Sequence, residues 1–339
     1  MRAAVLQKDG RFAVEEVERA APSGHQAVLR VKYCGICGSD LHAVRAGSLE
    51  PGAILGHEIT GEIVELGPEV EGFEVGDRVT TLSALPCDAC APCREGRYRA
   101  CEGGWRVFGY ADAPGGYAEE LITHASVLEK VPESMSDETA AFNEPSIVGL
   151  HAVRASRMRL GDRTVVIGAG PIGLLVLQSI LLANDAPVYV VEPSAGRRAM
   201  ALEQGATEAL DPFRNDVAAA IRERTMVGAD VVFECAGAKG TLQQAIDLVR
   251  PGGQVMVPGV NMEPDEIQPG TLLMKECEIR GSLGGGDLFR AALDYLAGGQ
   301  IQVESMVSRV IGLEEVDEMF QSLGTAENDA IKVLVAPNG

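Results

Sequence analysis

The hydrophobic rhythm of the chain changes part-way along. Over residues 1–85 apolar and polar positions alternate in short runs: Ala3-Ala4-Val5-Leu6, Ala27-Val28-Leu29-Arg30-Val31, Thr60-Gly61-Glu62-Ile63-Val64-Glu65-Leu66 and Asp77-Arg78-Val79-Thr80-Thr81. Gly, Pro and Asp bound these runs, and a period of two between turn residues predicts the strands of a mostly antiparallel sheet or barrel. Another strand is expected over 121–127, and from about 139 the pattern becomes helical.

Residues 163–281 follow a different rhythm. Thr164-Val165-Val166-Ile167 leads into a glycine turn and an apolar helix through Ala183, followed by Val188-Tyr189-Val190-Val191. Asp230-Val231-Val232-Phe233-Glu234, a helix over 241–250, Gly253-Gln254-Val255-Met256-Val257 and Glu278-Ile279-Arg280 continue the alternation. Repeated alternation of strands with helices predicts a Rossmann-type doubly wound parallel sheet, with ligand beyond the carboxyl ends of its strands. After Gly284-Gly285-Gly286, Asp287 is placed to cap a helix carrying Leu288, Ala291, Ala292, Tyr295 and Leu296. A helix over 313–323 and a strand Ile331-Lys332-Val333-Leu334-Val335 are expected to return to the N-terminal domain. The division that results is a β-rich catalytic domain of 1–147 with 285–339, and a nucleotide-binding domain of 148–284.

Composition narrows the classes. A chain of 339 residues has room for two domains, and its net charge of −20 opposes any sequence-independent grip on nucleic acid or an anionic membrane surface. The start of the chain carries Arg2, Lys8, Asp9 and Arg11 without an apolar core, and the run near 173–183 is too short to span a bilayer. A soluble cytoplasmic protein is expected. Its eight cysteines then read as metal ligands or buried thiols rather than a disulfide framework.

Four of them, Cys87, Cys90, Cys93 and Cys101, fall in one short lobe of about 85–103. Four thiolates close a tetrahedral shell, which marks a structural zinc. A second candidate centre lies in Cys37-Gly38-Ser39-Asp40-Leu41-His42 and Gly56-His57-Glu58, where Cys37 and His57 supply two zinc-ligand types beside a hydroxyl and two carboxylates. Cys34 reads as a bystander thiol. Glu144-Pro145 places an acid in an apolar setting, where a buried carboxylate needs a partner or a metal. Trp105, Phe108 and Tyr110 read equally as cleft walls or core.

The turn Gly168-Ala169-Gly170-Pro171-Ile172-Gly173 stands between a strand and a helix, and Glu192 ends the next strand. That arrangement predicts a dinucleotide site: the glycines admit a pyrophosphate at the helix N-terminus and Glu192 accepts from the adenosine ribose. Ala236-Gly237 and Pro258-Gly259-Val260 follow two other strand ends and are expected to line the cofactor cleft. The charge of Glu192 favours NAD over NADP, a preference that Arg197 and Arg198 nearby would soften.

These motifs together, in this order and with Gly115-Gly116-Tyr117-Ala118-Glu119, resemble the zinc-dependent medium-chain alcohol and polyol dehydrogenases along nearly the whole chain. Glu144-Pro145 resembles the sorbitol, threonine and butanediol dehydrogenase branches. The resemblance implies a GroES-like catalytic domain, and a catalytic zinc on Cys37 and His57 with Glu58 or Glu144 completing the shell, directly or through water. It further implies that Ser39 takes the alcohol proton, His42 passes it to solvent, Asp40 orients His57 and Arg197 packs near the adenosine. NAD, two zinc ions per chain, a small alcohol or ketone substrate and a homotetramer, otherwise a homodimer, complete the expectation. Two other readings stand beside it: an NADPH-preferring carbonyl reductase with the same zinc site, and a catalytically silent zinc- and nucleotide-binding relative.

Overall fold

A computed structural model describes residues 1–87, 89–95, 97–104, 106–110, 113–323 and 328–339. Trp105 lies outside the described residues. The chain divides into two compact units, Met1–Glu144 with Phe289–Gly339, and Pro145–Leu288.

In the first unit, among the described residues, a seven-stranded sheet runs Val307–Ile311, Lys332–Val335, Gln26–Gly35, Glu58–Leu66, Arg78–Thr81, Leu128–Lys130, with Glu120–His124 also paired to Gln26–Gly35. All its pairings are antiparallel except that of Val307–Ile311 with Lys332–Val335. Period-two alternation puts Ala27, Leu29 and Val31 on the core-facing side of one strand, with Ile59, Ile63 and Val79 packed in the same core. The last strand joins this sheet through Leu334↔Gly35 and Val335↔Cys34, so the C-terminal segment closes the unit that the N-terminus begins.

The second unit holds a six-stranded parallel sheet in the order Glu208–Leu210, Val188–Val191, Thr164–Ile167, Ala229–Glu234, Val249–Val257, Glu278–Gly281. Its central strands are buried on both faces, which explains their unbroken Val, Ile and Phe content. Helix Pro171–Ala183 starts with proline at its first turn and is buried from Gly173 to Ile180.

Several elements depart from the sequence expectations. The strand expected over 121–127 ends at His124 and gives way to a 3-10 turn, Ala125–Val127. The helix expected over 241–250 ends at Leu248, because Val249 and Arg250 already belong to the next strand. Only Val316–Ser322 of 313–323 is α-helical, preceded by the 3-10 turn Leu313–Glu315. Asp287 does not cap a helix: it lies inside the 3-10 turn Gly286–Leu288, and its carboxylate is taken by Arg154 at 2.7 and 2.9 Å. The segment 37–58, read as a connection, contains the helix Gly38–Arg45.

The segment 115–117 pairs with 54–56 through Gly115 N–Ile54 O (2.7 Å), Gly116 N–Gly56 O (2.9 Å) and Tyr117 N–Leu55 O (2.9 Å). A Cβ on Gly115 would lie 2.3 Å from Gly56 O, so only glycine lets these backbones meet. Gly270, in an exposed helix turn, has no neighbour within 4 Å of a built Cβ. Gly115→Ala is expected to cost about 3 kcal/mol of stability by overpacking, whereas Gly270→Ala is neutral or gains about 0.5 kcal/mol. Chemical denaturation of both variants checks the contrast.

Candidate active site

Strand pairing builds the first centre. Gly35 lies opposite Glu58 in the register of Gln26–Gly35 with Glu58–Leu66, so Cys37 and His57, just beyond that pair on either strand, are brought together. The ligand atoms of Cys37, His57 and Glu58 all lie within 4.8 Å of one another. Cys37 is also the residue from which helix Gly38–Arg45 departs, and that helix carries the half-buried Ser39 and His42 and the fully buried Asp40. The Ser39 hydroxyl donates to Cys37 Sγ at 3.2 Å. His57 Nδ1 faces Asp40 Oδ1 at 3.4 Å, which leaves Nε2 for a metal.

Glu58 has a partner that the motif reading missed. Lys332 Nζ, on the closing strand, donates to Glu58 Oε1 at 2.8 Å and Oε2 at 2.5 Å, and to Ile36 O at 3.2 Å. Both side chains are 2% exposed. Burial opposes a charged ammonium, yet the Glu58 carboxylate and the Cys37 thiol outweigh it and raise the Lys332 pKa. The sequence signal was a lysine inside an otherwise apolar strand, where a charge persists only if paired.

Glu144 sits outside the group of three that share ligand distance, but it is buried and within electrostatic reach of His57, Glu58 and Lys332. Burial raises its pKa; His57, Lys332 and a hydrogen bond with Ser83 pull the other way. It belongs to the first turn of helix Asn143–Ala155, where the helix dipole favours an anion.

The field of the site suits a cation. Burial disfavours a charged His57, but Asp40 and Cys37 override it and push the imidazole pKa well up. A divalent metal would supply that positive charge. The four-cysteine lobe fits a metal on the same logic. The thiols of Cys87, Cys90, Cys93 and Cys101 lie within 4.8 Å of one another, all free, with Cys87 and Cys90 sulfurs 3.4 Å apart. Backbone N–H donors at Ala89 and Cys90 push Cys87 down to about 6, while Cys93 is pushed up to about 12 in the company of its neighbours. Four crowded thiols ionise together only around a cation, and four thiolates match structural zinc.

In the second unit the glycine turn follows Thr164–Ile167, and Gly170 precedes the first turn of Pro171–Ala183. A Cβ on Gly173 would lie 1.9 Å from Gly168 O, so the helix folds tightly onto its own turn. Glu192 is buried, and its carboxylate accepts from Ala169 N and Ser194 N, both at 2.8 Å. It braces the turn as well as standing at the position expected to meet a ribose. Arg198 is committed to the carbonyls of Glu192 and Pro193 and to Asp211. Arg197 lies half-buried in the turn capped by Ser194. Ala236 and Gly237 donate backbone N–H bonds to the buried Glu234, and Gly259 packs beside the same carboxylate, with Pro258 and Val260 flanking it.

Comparison with known proteins matches these two units. Residues 23–133 fit the alcohol dehydrogenase GroES-like domain and residues 171–298 the zinc-binding dehydrogenase family. The chain is 34% identical to (R,R)-butanediol dehydrogenase of Bacillus subtilis (strain 168) over 100% of both chains. The chain belongs to the zinc-dependent medium-chain alcohol and polyol dehydrogenases. A sorbitol dehydrogenase of Halalkalibacterium halodurans is 34% identical over 97% of this dehydrogenase and 96% of its own length. A Sinorhizobium meliloti 1021 structure assigned as a zinc-binding dehydrogenase and bound to NADP superposes with a TM-score of 0.90, 33% identity and 99% coverage of each chain. Membership makes this dehydrogenase an alcohol or polyol oxidoreductase that works with zinc and a nicotinamide dinucleotide. No helix among the described residues is long and apolar enough to cross a membrane.

Removing one partner of a buried pair leaves the other charge without compensation. Lys332→Met is expected to cost about 3–5 kcal/mol, and adding Glu58→Gln to recover part of that loss. Urea unfolding of the single and double variants checks it.

Proposed function

We propose that this dehydrogenase transfers a hydride between a secondary alcohol, most favourably a vicinal diol or polyol, and NAD, with one catalytic and one structural zinc per chain. The observation that carries the reading is the meeting of Cys37 and His57 at ligand distance, with the Ser39 hydroxyl against the thiol. The names of the butanediol and sorbitol dehydrogenase relatives support the substrate class.

Cys37 Sγ and His57 Nε2 would hold the catalytic zinc. Glu144 is proposed as the third protein ligand, because both oxygens of Glu58 are held by Lys332. Cys87, Cys90, Cys93 and Cys101 would hold the structural zinc. When bound, the catalytic zinc supplies Lewis acidity toward the alcohol oxygen. Ser39 accepts the alcohol proton, and His42, one turn further along the same helix, passes it toward solvent. Asp40 keeps His57 oriented so that Nε2 stays available.

NAD is the proposed cofactor. Glu192 is an anion beside the adenosine position, and Arg198, one of the two nearby cations, is already bound to protein oxygens. The NADP-bound relative favours a second reading, an NADPH-linked carbonyl reductase. Exposed Leu273 and Met274 on helix Pro269–Lys275, beside the edge strand Glu278–Gly281, support a homo-oligomer, proposed as a tetramer in the cytoplasm.

A panel of vicinal diols, sugar alcohols and amino alcohols, run with NAD and with NADP, tests the reading, and kcat/KM is expected to favour NAD. Comparable efficiency with both cofactors overturns the preference, and no turnover by a zinc-loaded protein overturns the enzyme assignment. Cys37→Ser is expected to abolish turnover with the fold intact, whereas Cys101→Ser mainly lowers the melting temperature. Equal thermal loss in both variants contradicts the division into catalytic and structural sites.

A further inference from the structure

Asp40 is completely buried beside the metal-ligating histidine, and a carboxylate in that position needs compensation. Among the described residues its side chain has no arginine or lysine partner. Its oxygens meet two phenols and one imidazole: the Tyr117 hydroxyl donates to Oδ2 at 2.8 Å, the Tyr110 hydroxyl donates to Oδ1 at 3.3 Å, and His57 Nδ1 lies 3.4 Å from Oδ1. Tyr117 is fully buried and Tyr110 half-buried, with the Tyr110 and His57 ring centroids 6.2 Å apart.

Backbone packing explains why the phenols point there. The pairing of 115–117 with 54–56 lays Tyr117 against the strand that leads into His57, and Gly56, at φ 98°, leaves room for its ring. Tyr110 is held by backbone bonds on either side: Ala113 N donates to Tyr110 O at 3.2 Å and Gly109 N to Ala113 O at 2.7 Å. The stretch that includes the glycine pair thus delivers two hydroxyls to one carboxylate.

We propose that Tyr110 and Tyr117 are positioning residues that fix the Asp40 carboxylate against His57 Nδ1, so that retention of metal by Cys37 and His57 depends on two phenol hydroxyls from the 108–117 segment. The proposal rests on the reading of Cys37 and His57 as metal ligands. With both phenols in place, Asp40 has one orientation in which Oδ1 remains opposite the imidazole. With one hydroxyl gone, the carboxylate is free to turn toward its remaining partner, and His57 loses the carboxylate that faces its Nδ1 at 3.4 Å.

The test uses the full-length, zinc-loaded protein and follows zinc transfer to the chromogenic chelator 4-(2-pyridylazo)resorcinol, a readout that needs no substrate and no turnover. The phase that Cys37→Ser eliminates identifies the catalytic zinc. Tyr110→Phe and Tyr117→Phe keep the rings and remove only the hydroxyls, and each is expected to speed that phase about tenfold, the scale of outer partners of metal ligands, while leaving release from the four cysteines unchanged. A merely structural role would instead lower the melting temperature of the zinc-free protein and speed both phases together, and that result overturns the proposal. Unchanged catalytic-zinc release in both variants also overturns it, with the metal-site reading left standing. Absence of any phase dependent on Cys37 overturns both. If the buried Tyr117→Phe variant does not fold, the half-buried Tyr110→Phe variant decides alone.

Discussion

A lysine ammonium and a glutamate carboxylate, each shut away from water, face one another beside the Cys37 thiol and the His57 imidazole. Isolated burial of either charge would be very costly, so each requires the other. Glu58 follows His57 at the start of its strand, and Lys332 opens the last strand of the chain, with its ammonium also on the carbonyl next to Cys37. The strand that carries His57, the end of the strand before Cys37 and the C-terminal strand therefore meet at one charge pair. With Lys332 on Glu58, the Cys37 sulfur, the His57 imidazole and the Glu144 carboxylate are the groups left to meet a divalent cation.

The same physics recurs in the parallel-sheet unit. Two strands flanking Thr164–Ile167 lead into buried acids, Glu192 and Glu234, and each acid turns back to accept backbone N–H bonds from loops at the strand ends. Thr241 adds a hydroxyl donor to Glu234 at 2.8 Å. Carboxylates that collect backbone donors rigidify loops, and rigid loops at carboxyl strand ends are where a dinucleotide is held. Glu192 holds the Ala169 N–H of the glycine turn, and Glu234 holds the loop that follows its own strand.

Elements with a strong period were legible from the residues. The apolar runs 164–167 and 188–191 and the glycine turn between them need no tertiary information, because both faces of a central parallel strand are buried. The four-cysteine lobe was legible for the same reason: its chemistry is local in sequence. Boundaries were less so. Val249 and Arg250 carry a helix-like pattern but pair with Ala229–Glu234 and its neighbours, an outcome decided by the sheet. Asp287 had the residue type of a cap, yet Arg154 offered a stronger, two-pronged partner. Lys332, Tyr110 and Tyr117 were missed as parts of the centre because their partners lie far away in sequence, and no spacing rule joins residue 58 to 332 or 40 to 110 and 117.

The claim with the widest consequences is that Lys332 reserves Glu58, so the catalytic zinc takes its protein ligands from Cys37, His57 and Glu144. Anomalous diffraction at the zinc edge on crystals of the zinc-loaded protein measures this directly. The account predicts two peaks per chain, one among Cys87, Cys90, Cys93 and Cys101 and one bounded by Cys37, His57 and Glu144, with the Glu58 carboxylate still on Lys332. A second peak bonded to Glu58 with Lys332 displaced, or no peak at Cys37 and His57, would contradict it.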